Sequence, residues 1–586
     1  MSGQLEDLPV ESNQNEPLFN TVNMLDPQLC VKSSINYAVS KSAQNITYHS
    51  QSASSATTSG LNFSVIVPSL STVISRKVML RTQMTFTLSG NAAVGKTLIN
   101  WGLDTSLAPF AIHQCIQNMN VLINSSSFTF DCRNNLDLVL RSMDKETLNE
   151  YANTTPVFFD NYGKYTDAVG SRNSPFCEYS TSDSCHTGRG SYPVTITGNA
   201  KNTTTAVAPT TVTIVVNLCE PIVMSPFLMS TQKHSNAQGI YGVQSMDCTI
   251  NFVGQSLCRA IRSSVPGLTV TFVPAQAGTY LDLTYLTPHA SNPLPARNVI
   301  PYLQLQNSTT AIGVVSAGSV SQITSNTISL NMIPDSVIIV ARRKAVSQIY
   351  TDADCYLPLF NPNLGGSAGL SINFANTPGI LSGNNAQSLW EYSNNSGTKQ
   401  EWLQFYGSAM ETKASDTTVA GVAAINTTGS IIHLKFGDHI NLVSDWNAPS
   451  SIGNFSFQVA CNVFNNTGID INANDYELFC TFVNSGIIVT SLGSTSVYQG
   501  LLCKKDVLDV ASKPVVNGGE YARMYGGAWY SGLKSAVSGA LALAPKVMAA
   551  APHLMNAYKS LAAGAGRAAG YASGATPSGK LKDRFY

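Results

Sequence analysis

Apolar and polar residues alternate along much of this chain. Val78, Leu80, Met84, Phe86 and Leu88 fall on one face of an extended segment, opposite Arg81, Gln83, Thr85 and Thr87. That is the period-two signature of a strand with one face buried. The same alternation predicts strands at Leu61–Val67, Met119–Ile123, Ser127–Phe130, Val212–Leu218, Cys248–Phe252 and Leu268–Val273. Further on it recurs at Thr279–Leu286, Leu370–Phe374, Ile431–Phe436, Phe455–Val463 and Tyr476–Val483. One stretch stands apart. Ile328, Leu330 and Met332 alternate with Ser329 and Asn331, Pro334-Asp335 breaks the ladder, and Val337–Val340 is β-branched throughout. Pro lacks the N–H a strand must donate, so a corner is predicted there. The β-branched run suits a strand covered on both faces, and Arg342, Arg343 and Lys344 mark its emergence into solvent or onto a partner.

Helices are few and short. Asn134 or Asn135 is placed to cap one, with Leu136, Leu140 and Met143 at helical spacing, and Asn384-Asn385 leads into another at Ala386–Tyr392. Each follows a strand that ends in Ile-Asn, at Ile123-Asn124 and Ile372-Asn373, and a Ser/Asn-rich loop. The two Ile-Asn pairs are 249 positions apart (372 − 123), too far for a solenoid repeat. That spacing fits duplication of a whole eight-stranded sandwich, a jelly roll. The expected fold is therefore all-β: two tandem eight-stranded jelly rolls with short helices in loops and a C-terminal helical or flexible tail. The expected division is an N-terminal arm over 1–60, a first roll over 61–276, a second over 277–500 and a basic Ala/Gly-rich tail over 501–586. The turn-rich stretches 153–200 and 400–428 read as external loops, candidates for contact with a host receptor.

Composition narrows the function. Only 12% of residues are charged, well below the usual quarter, and 34 basic residues balance 34 acidic ones. Outward faces carry Ser, Thr, Asn and Gly instead, and a chain of zero net charge tends to associate. The twelve cysteines are scattered with no Cys-x-x-Cys pair, so they read as reduced, buried thiols of a protein assembled in cytosol or nucleus. No Lys or Arg precedes Lys32 and five acids do, a start unlike a signal peptide. No uninterrupted apolar window is long enough to span a bilayer. The tail is different: residues 521–586 hold eight basic residues and one acid, and Trp529, Leu533, Val537 and Leu541 recur every four positions until Pro545.

Catalytic and metal constellations do not survive inspection. Asp352 and Asp354 read as turn caps. Cys177, Cys185 and His186 lack a fourth ligand at zinc spacing. His433 and His439, beside Lys435 and Asp438, read as a solvated loop end. The Gly365-Gly366…Gly369 loop lacks the Lys-Ser/Thr of a phosphate cradle and reads as a turn. No cofactor is expected and no enzyme.

In the second half, Asp282–Pro288, Asn331–Ile339, Pro378–Ser382, Ser388–Ser393, a Trp402-centred segment and Gly429–Gly437 follow one another in an order and spacing that resemble the double jelly-roll major capsid proteins of Polinton-like viruses, adintoviruses and virophages. The resemblance is best over 278–490. It implies two upright rolls per chain, homotrimeric pseudo-hexagonal capsomers and an icosahedral shell built with neighbouring capsomers and minor capsid or penton proteins. It places the chain in the virion capsid, assembled in host cytoplasm or nucleus. Met524-Tyr525-Gly526-Gly527-Ala528 looks like the cleavage pattern of adenovirus-type cysteine proteases, so a viral cysteine protease is an expected partner. The basic tail would then contact genome DNA or a membrane surface. A surface-displayed β-sandwich that binds carbohydrate or a receptor, as a spike or lectin does, is the alternative. A β-rich hydrolase is a third class, but no set of nucleophile, base and orienter is found.

Overall fold

Strands form where the alternation places them, and they sort into four principal sheets. The computed structural model describes residues 43–90, 105–143, 211–227, 239–263, 267–289, 294–348, 356–412, 422–442, 448–466 and 476–500, with short stretches at 99, 101, 148 and 194–198. The first half contributes β1 (Ala43–Ser52), β2 (Gly60–Ile66), β3 (Met79–Ser89), β4 (Ile116–Ile123), β5 (Ser126–Phe130), helix α1 (Cys132–Arg141), β6 (Thr211–Pro221), β7 (Ser245–Phe252), β8 (Thr269–Pro274) and β9 (Tyr280–Pro288). The second contributes β10 (Asn298–Ala311), β11 (Val320–Thr324), β12 (Ile328–Met332), β13 (Ser336–Arg343), β14 (Ser371–Phe374), β15 (Thr377–Ile380), helices α2 (Ala386–Ser396) and α3 (Trp402–Tyr406), β16 (Ile432–Lys435), β17 (Ile452–Phe464), β18 (Tyr476–Ser491) and β19 (Ser494–Gln499).

The strand order is the same twice. In the first half one sheet runs β1-β9-β3-β6, with β8 also on β3, and the facing sheet runs β2-β7-β4-β5. In the second half β10-β18-β13-β16 faces β12-β17-β14-β15, with β11 beside β12 on β17 and β19 on β18. Every pairing is antiparallel. Two facing four-strand sheets in this order are a jelly roll, and the chain carries two. Each has its own core. Leu80, Met84, Phe86 and Leu88 of β3 meet Phe63, Val121 and Ile250 in the first, and Ile339, Ile372, Phe457, Val459 and Phe482 fill the second.

Four expectations need correction. Residues 43–52, read as part of an arm, form β1, which pairs with β9 along its whole length. The pattern hid it because Asn45–Tyr48 are exposed, so the strand shows no buried stripe there. The segment read as opening the second roll, Thr279–Leu286, is β9, which pairs with β1 and β3. Sequence alternation identifies a strand but not its neighbours, so the changeover at 277 moves to between Pro288 and Asn298. The cap of α1 is Asp131, not Asn134 or Asn135: it accepts the N–H of Asn134 at 3.4 Å, and both asparagines lie inside the first turn. Asn385 caps α2 as expected, accepting from Ser388 at 2.9 Å. Within 400–428, read as a loop, the described residues form α3 and a paired Ser408–Thr412 and Val422–Asn426.

Candidate functional site

Where the rolls meet, the chain buries a surface that neither roll needs for its own core. Helix α1 makes the contact. Its Cys132, Leu136, Val139 and Leu140 point into the first core, while Leu138 leaves from the opposite side. Leu138 sits in a separate apolar cluster with Ile338 and Val340 of β13, Phe479 of β18, Tyr356 and Ile431. The β-branched run is therefore covered twice. Val337 and Ile339 face the second core, and Ile338 and Val340 face the first roll.

A buried cation locks this contact. Arg342 donates from Nε to Glu477 at 3.1 Å, and from its two terminal nitrogens to the carbonyl and side-chain oxygen of Asn134 at 2.8 and 2.6 Å. Its guanidinium lies over the Phe479 ring, 3.6 Å from the centroid. Burial pulls its pKa down and the Glu477 carboxylate opposes that pull. The sequence reading left open whether this basic exit met solvent or a partner, and the partner is the chain's own other roll. Arg133 reaches the opposite way, donating to the Leu257 carbonyl at 2.7 Å and the Ala345 carbonyl at 2.8 Å. Burial first, then Arg259 beside it, lowers its pKa to about 9. The Thr481 hydroxyl meets Asn135 Oδ1 at 3.2 Å, and the Lys399 N–H donates to the Arg141 carbonyl at 3.0 Å.

The seam continues along the long β10–β18 ribbon. Its far end leaves the second core, and Ile300, Tyr302 and Ile488 enter the first. Tyr302 meets Phe128 edge-on at 5.4 Å. Asn124 Nδ2 donates to Thr495 Oγ1 at 2.8 Å, Ser126 Oγ to the Thr495 carbonyl at 2.7 Å, and the Gly493 N–H to the Gly242 carbonyl at 3.1 Å. Asn124, singled out by the Ile-Asn repeat, thus takes a positive φ of 55° and ties one roll to the other. The two rolls are welded, not tethered.

His433 is a correction. It is fully buried on β16, with Nε2 3.0 Å from Ser336 Oγ and Nδ1 3.3 Å from Thr398 Oγ1. Burial, then Lys435 and His439, pushes its pKa down to about 3. The apolar neighbours Ile432 and Leu434 were the signal that this was no loop end. Asp335, at the predicted corner, has its pKa raised to about 6 by burial, with hydrogen bonds from Ser485 restraining the rise. In the first roll the Glu220 carboxylate takes the N–H groups of Ile112 and His113 at 2.8 and 3.1 Å. It also takes His113 Nδ1 at 2.6 Å, while His113 Nε2 accepts the Val223 N–H at 3.4 Å. That fully satisfied pair is structural and was not legible in the sequence.

Gly365, Gly366 and Gly369 form a turn, all with positive φ. Asp352, Asp354, Cys177, Cys185, His186, the 153–192 loop and Met524–Ala528 lie outside the described residues. Among the described residues no three His, Cys, Asp or Glu side chains gather as metal ligands, and no helix is long and apolar enough to cross a membrane. The seven cysteines described are free thiols, six of them buried.

Residues 18–277 match the family model of the Sputnik virophage major capsid protein first domain, and residues 303–486 match that of the major capsid protein V20 C-terminal domain. The chain is 26% identical over 557 residues to the putative capsid protein V20 of Sputnik virophage, covering 89% of this chain and 87% of that protein. Among solved structures, it superposes on a chain of the Sputnik virophage cryo-EM structure with a TM-score of 0.71 at 23% identity, over 88% of this chain and 100% of that one. It superposes on the mavirus major capsid protein with a TM-score of 0.61 at 15% identity, over 86% and 99%.

Proposed function

We propose, from the premise that this chain is a double jelly-roll major capsid protein, that three copies form a pseudo-hexagonal capsomer and that such capsomers tile an icosahedral shell. The observation that carries this reading is the pairing of one fold repeated twice with a welded seam. A unit made of two like rolls at fixed geometry presents itself to its copies as two positions of a ring, so three chains supply six. The low charge supports it as well, because identical Ser/Thr/Asn faces can meet without stranding an unpaired ion at the interface. The protein works by self-assembly, as a structural component of the virion.

In this reading the residues before β1 are an arm that lies along a neighbour, the first roll runs to β9, the second from β10 to β19, and 501–586 is an interior tail. Cleavage between Gly527 and Ala528 by a viral cysteine protease would release the tail's basic, apolar segment for contact with packaged DNA or a membrane. Glycines at that position let the backbone lie extended in a narrow cleft. Minor capsid or penton proteins fill the positions that trimers leave open, and the 153–200 and 400–428 stretches face the host. Native mass spectrometry of the purified full chain tests the capsomer. A species of three chains of 62.4 kDa each is expected. A monomer at every concentration, with affinity for a glycan array, would replace this reading with the carbohydrate-binding one.

A further inference from the structure

A thiol sealed in an apolar core is inert, and Cys248 shows the ordinary case: burial pushes its pKa up to about 12. One pair in the first roll departs from that rule. Cys115 and Cys258 are buried as well, yet their sulfurs lie 3.6 Å apart. Cys115 closes the helical turn His113–Cys115 just before β4, and Cys258 follows the turn Gln255–Leu257 just after β7. The two segments are already hydrogen-bonded side by side. The Val253 N–H donates to the Cys115 carbonyl at 2.9 Å, and the Arg259 N–H to the Gln114 carbonyl at 3.4 Å.

We infer that Cys115 and Cys258 form a redox modification site, which a small hydroperoxide converts to a disulfide that braces the seam once the virion has left the reducing host cell.

The surroundings divide the two roles that such a reaction needs. Burial raises the Cys115 pKa well above the usual thiol range and the neighbouring Cys258 adds to the rise, so Cys115 keeps its proton. At Cys258 burial pushes the same way and is outweighed. The hydrogen bond with Cys115, another from the backbone at Ala260, and the nearby Arg133 and Arg262 guanidinium groups all favour the thiolate, and its pKa falls. A thiolate beside a protonated thiol is an attacking sulfur beside a resolving one. Cys132 lies in the same part of the core and lacks this advantage: burial, then Asp131 and Glu220, raise its pKa.

The chemistry closes without a further reactant. The Cys258 thiolate attacks one oxygen of hydrogen peroxide, the O–O bond breaks, and Cys258 becomes a sulfenic acid. The hydroxide that leaves takes the Cys115 proton as water. The Cys115 thiolate then attacks the Cys258 sulfur, S–S forms, S–O breaks, and the second hydroxide takes up the proton that Cys258 first released. Two thiols have given two electrons to the peroxide, which ends as two waters.

The bond would hold a segment that the seam depends on. Leu257, next to Cys258, gives its carbonyl to Arg133 of α1 at 2.7 Å. Arg259, on the other side, holds Gln114 Oε1 at 3.2 and 3.1 Å, Asp137 of α1 at 3.4 Å, and Gln348 of the second roll. A link from Cys258 to Cys115 ties this clasp to the start of β4 and closes a long loop of the unfolded chain, which favours the folded state.

The test uses the full chain purified under reducing conditions and incubated with hydrogen peroxide until the half-buried Cys219 is consumed. Free thiols are then alkylated in denaturant and the protein is mapped by mass spectrometry without reduction. A peptide joining Cys115 to Cys258, two hydrogens lighter than the sum of its parts, is expected, with Cys132 alkylated. The oxidised protein should melt at least about 5 °C higher than the reduced one, and dithiothreitol should reverse the rise. Cys258→Ser should show neither the link nor the rise. Should that variant fail to fold, the parent protein with and without dithiothreitol decides the matter alone. Cys115 and Cys258 recovered as separate alkylated peptides, or joined to other cysteines, would overturn the site. The expected link without a rise in Tm would overturn its bracing role.

Discussion

Arg342→Met should open the seam without unfolding either roll. The change removes the cation that faces the Glu477 carboxylate, whose side chain is only 13% exposed, and takes two donors from Asn134 and the charge from the Phe479 face. The dominant cost is the stranded carboxylate: breaking one side of a buried pair costs about 3–5 kcal/mol. The loss falls on the contact between rolls, because the rolls' own cores lie on the other faces of β13 and β18. Native-state hydrogen exchange reads this directly. At about 1.4 kcal/mol per tenfold, amides of α1 should lose at least about a hundredfold in protection, while amides of β7 and β17 keep theirs. Adding Glu477→Gln removes the stranded charge, so the double variant should recover more than half of the lost protection. Unchanged exchange in α1, or a double variant no better protected than the single one, would refute the assignment of Arg342 as the lock.

Acid should weaken the second roll through His433. The folded state keeps it neutral down to about pH 3 whereas the unfolded chain takes a proton near 6.5. The stability it contributes is thus complete above 6.5 and is lost as pH falls towards 3, by about 5 kcal/mol at most. His433→Gln should flatten that limb of a plot of Tm against pH, and an unchanged slope would contradict the buried assignment. Asp335 acts in the opposite sense. Its folded pKa is raised to about 6 from 3.8, so its contribution is present below 3.8 and lost as pH rises through 6, and Asp335→Asn should make stability above pH 6 greater than the parent's. Gly429→Ala should prevent folding of the second roll, seen as loss of soluble protein, because φ is +92° and an added Cβ would lie 1.8 Å from the Tyr356 carbonyl oxygen. Mass spectrometry of mature particles should find chains ending at Gly527, and Gly526→Val should leave the tail intact; intact tails in mature parent particles would remove the protease from the account.

Much of this architecture could be read in the alternation alone, since a half-buried strand writes its two faces into every second residue. Phe455, Phe457, Val459, Cys461 and Val463 all face the second core as their spacing required. The two helices after the Ile-Asn strands also sit where the repeat put them. What escaped were relations between strands. β1 is an edge strand whose exposed residues carry no stripe, and β9 is adjacent in sequence to the roll it does not belong to. The seam was half visible: the β-branched run announced a strand covered on both faces, whereas Leu138, which stands off the Leu136 and Leu140 stripe, was passed over. The run could not say that a helix of the other roll was its cover. His113 and Glu220, more than a hundred residues apart, met only in the folded chain.

The central claim is that two like rolls welded at one seam form a unit built to meet its own copies. Cryo-electron microscopy of the expressed full chain tests it most directly. Closed shells tiled by capsomers of three chains, each capsomer showing six columns of density, are predicted. Single chains that never assemble, or capsomers whose six columns cannot be divided into three welded pairs, would contradict it.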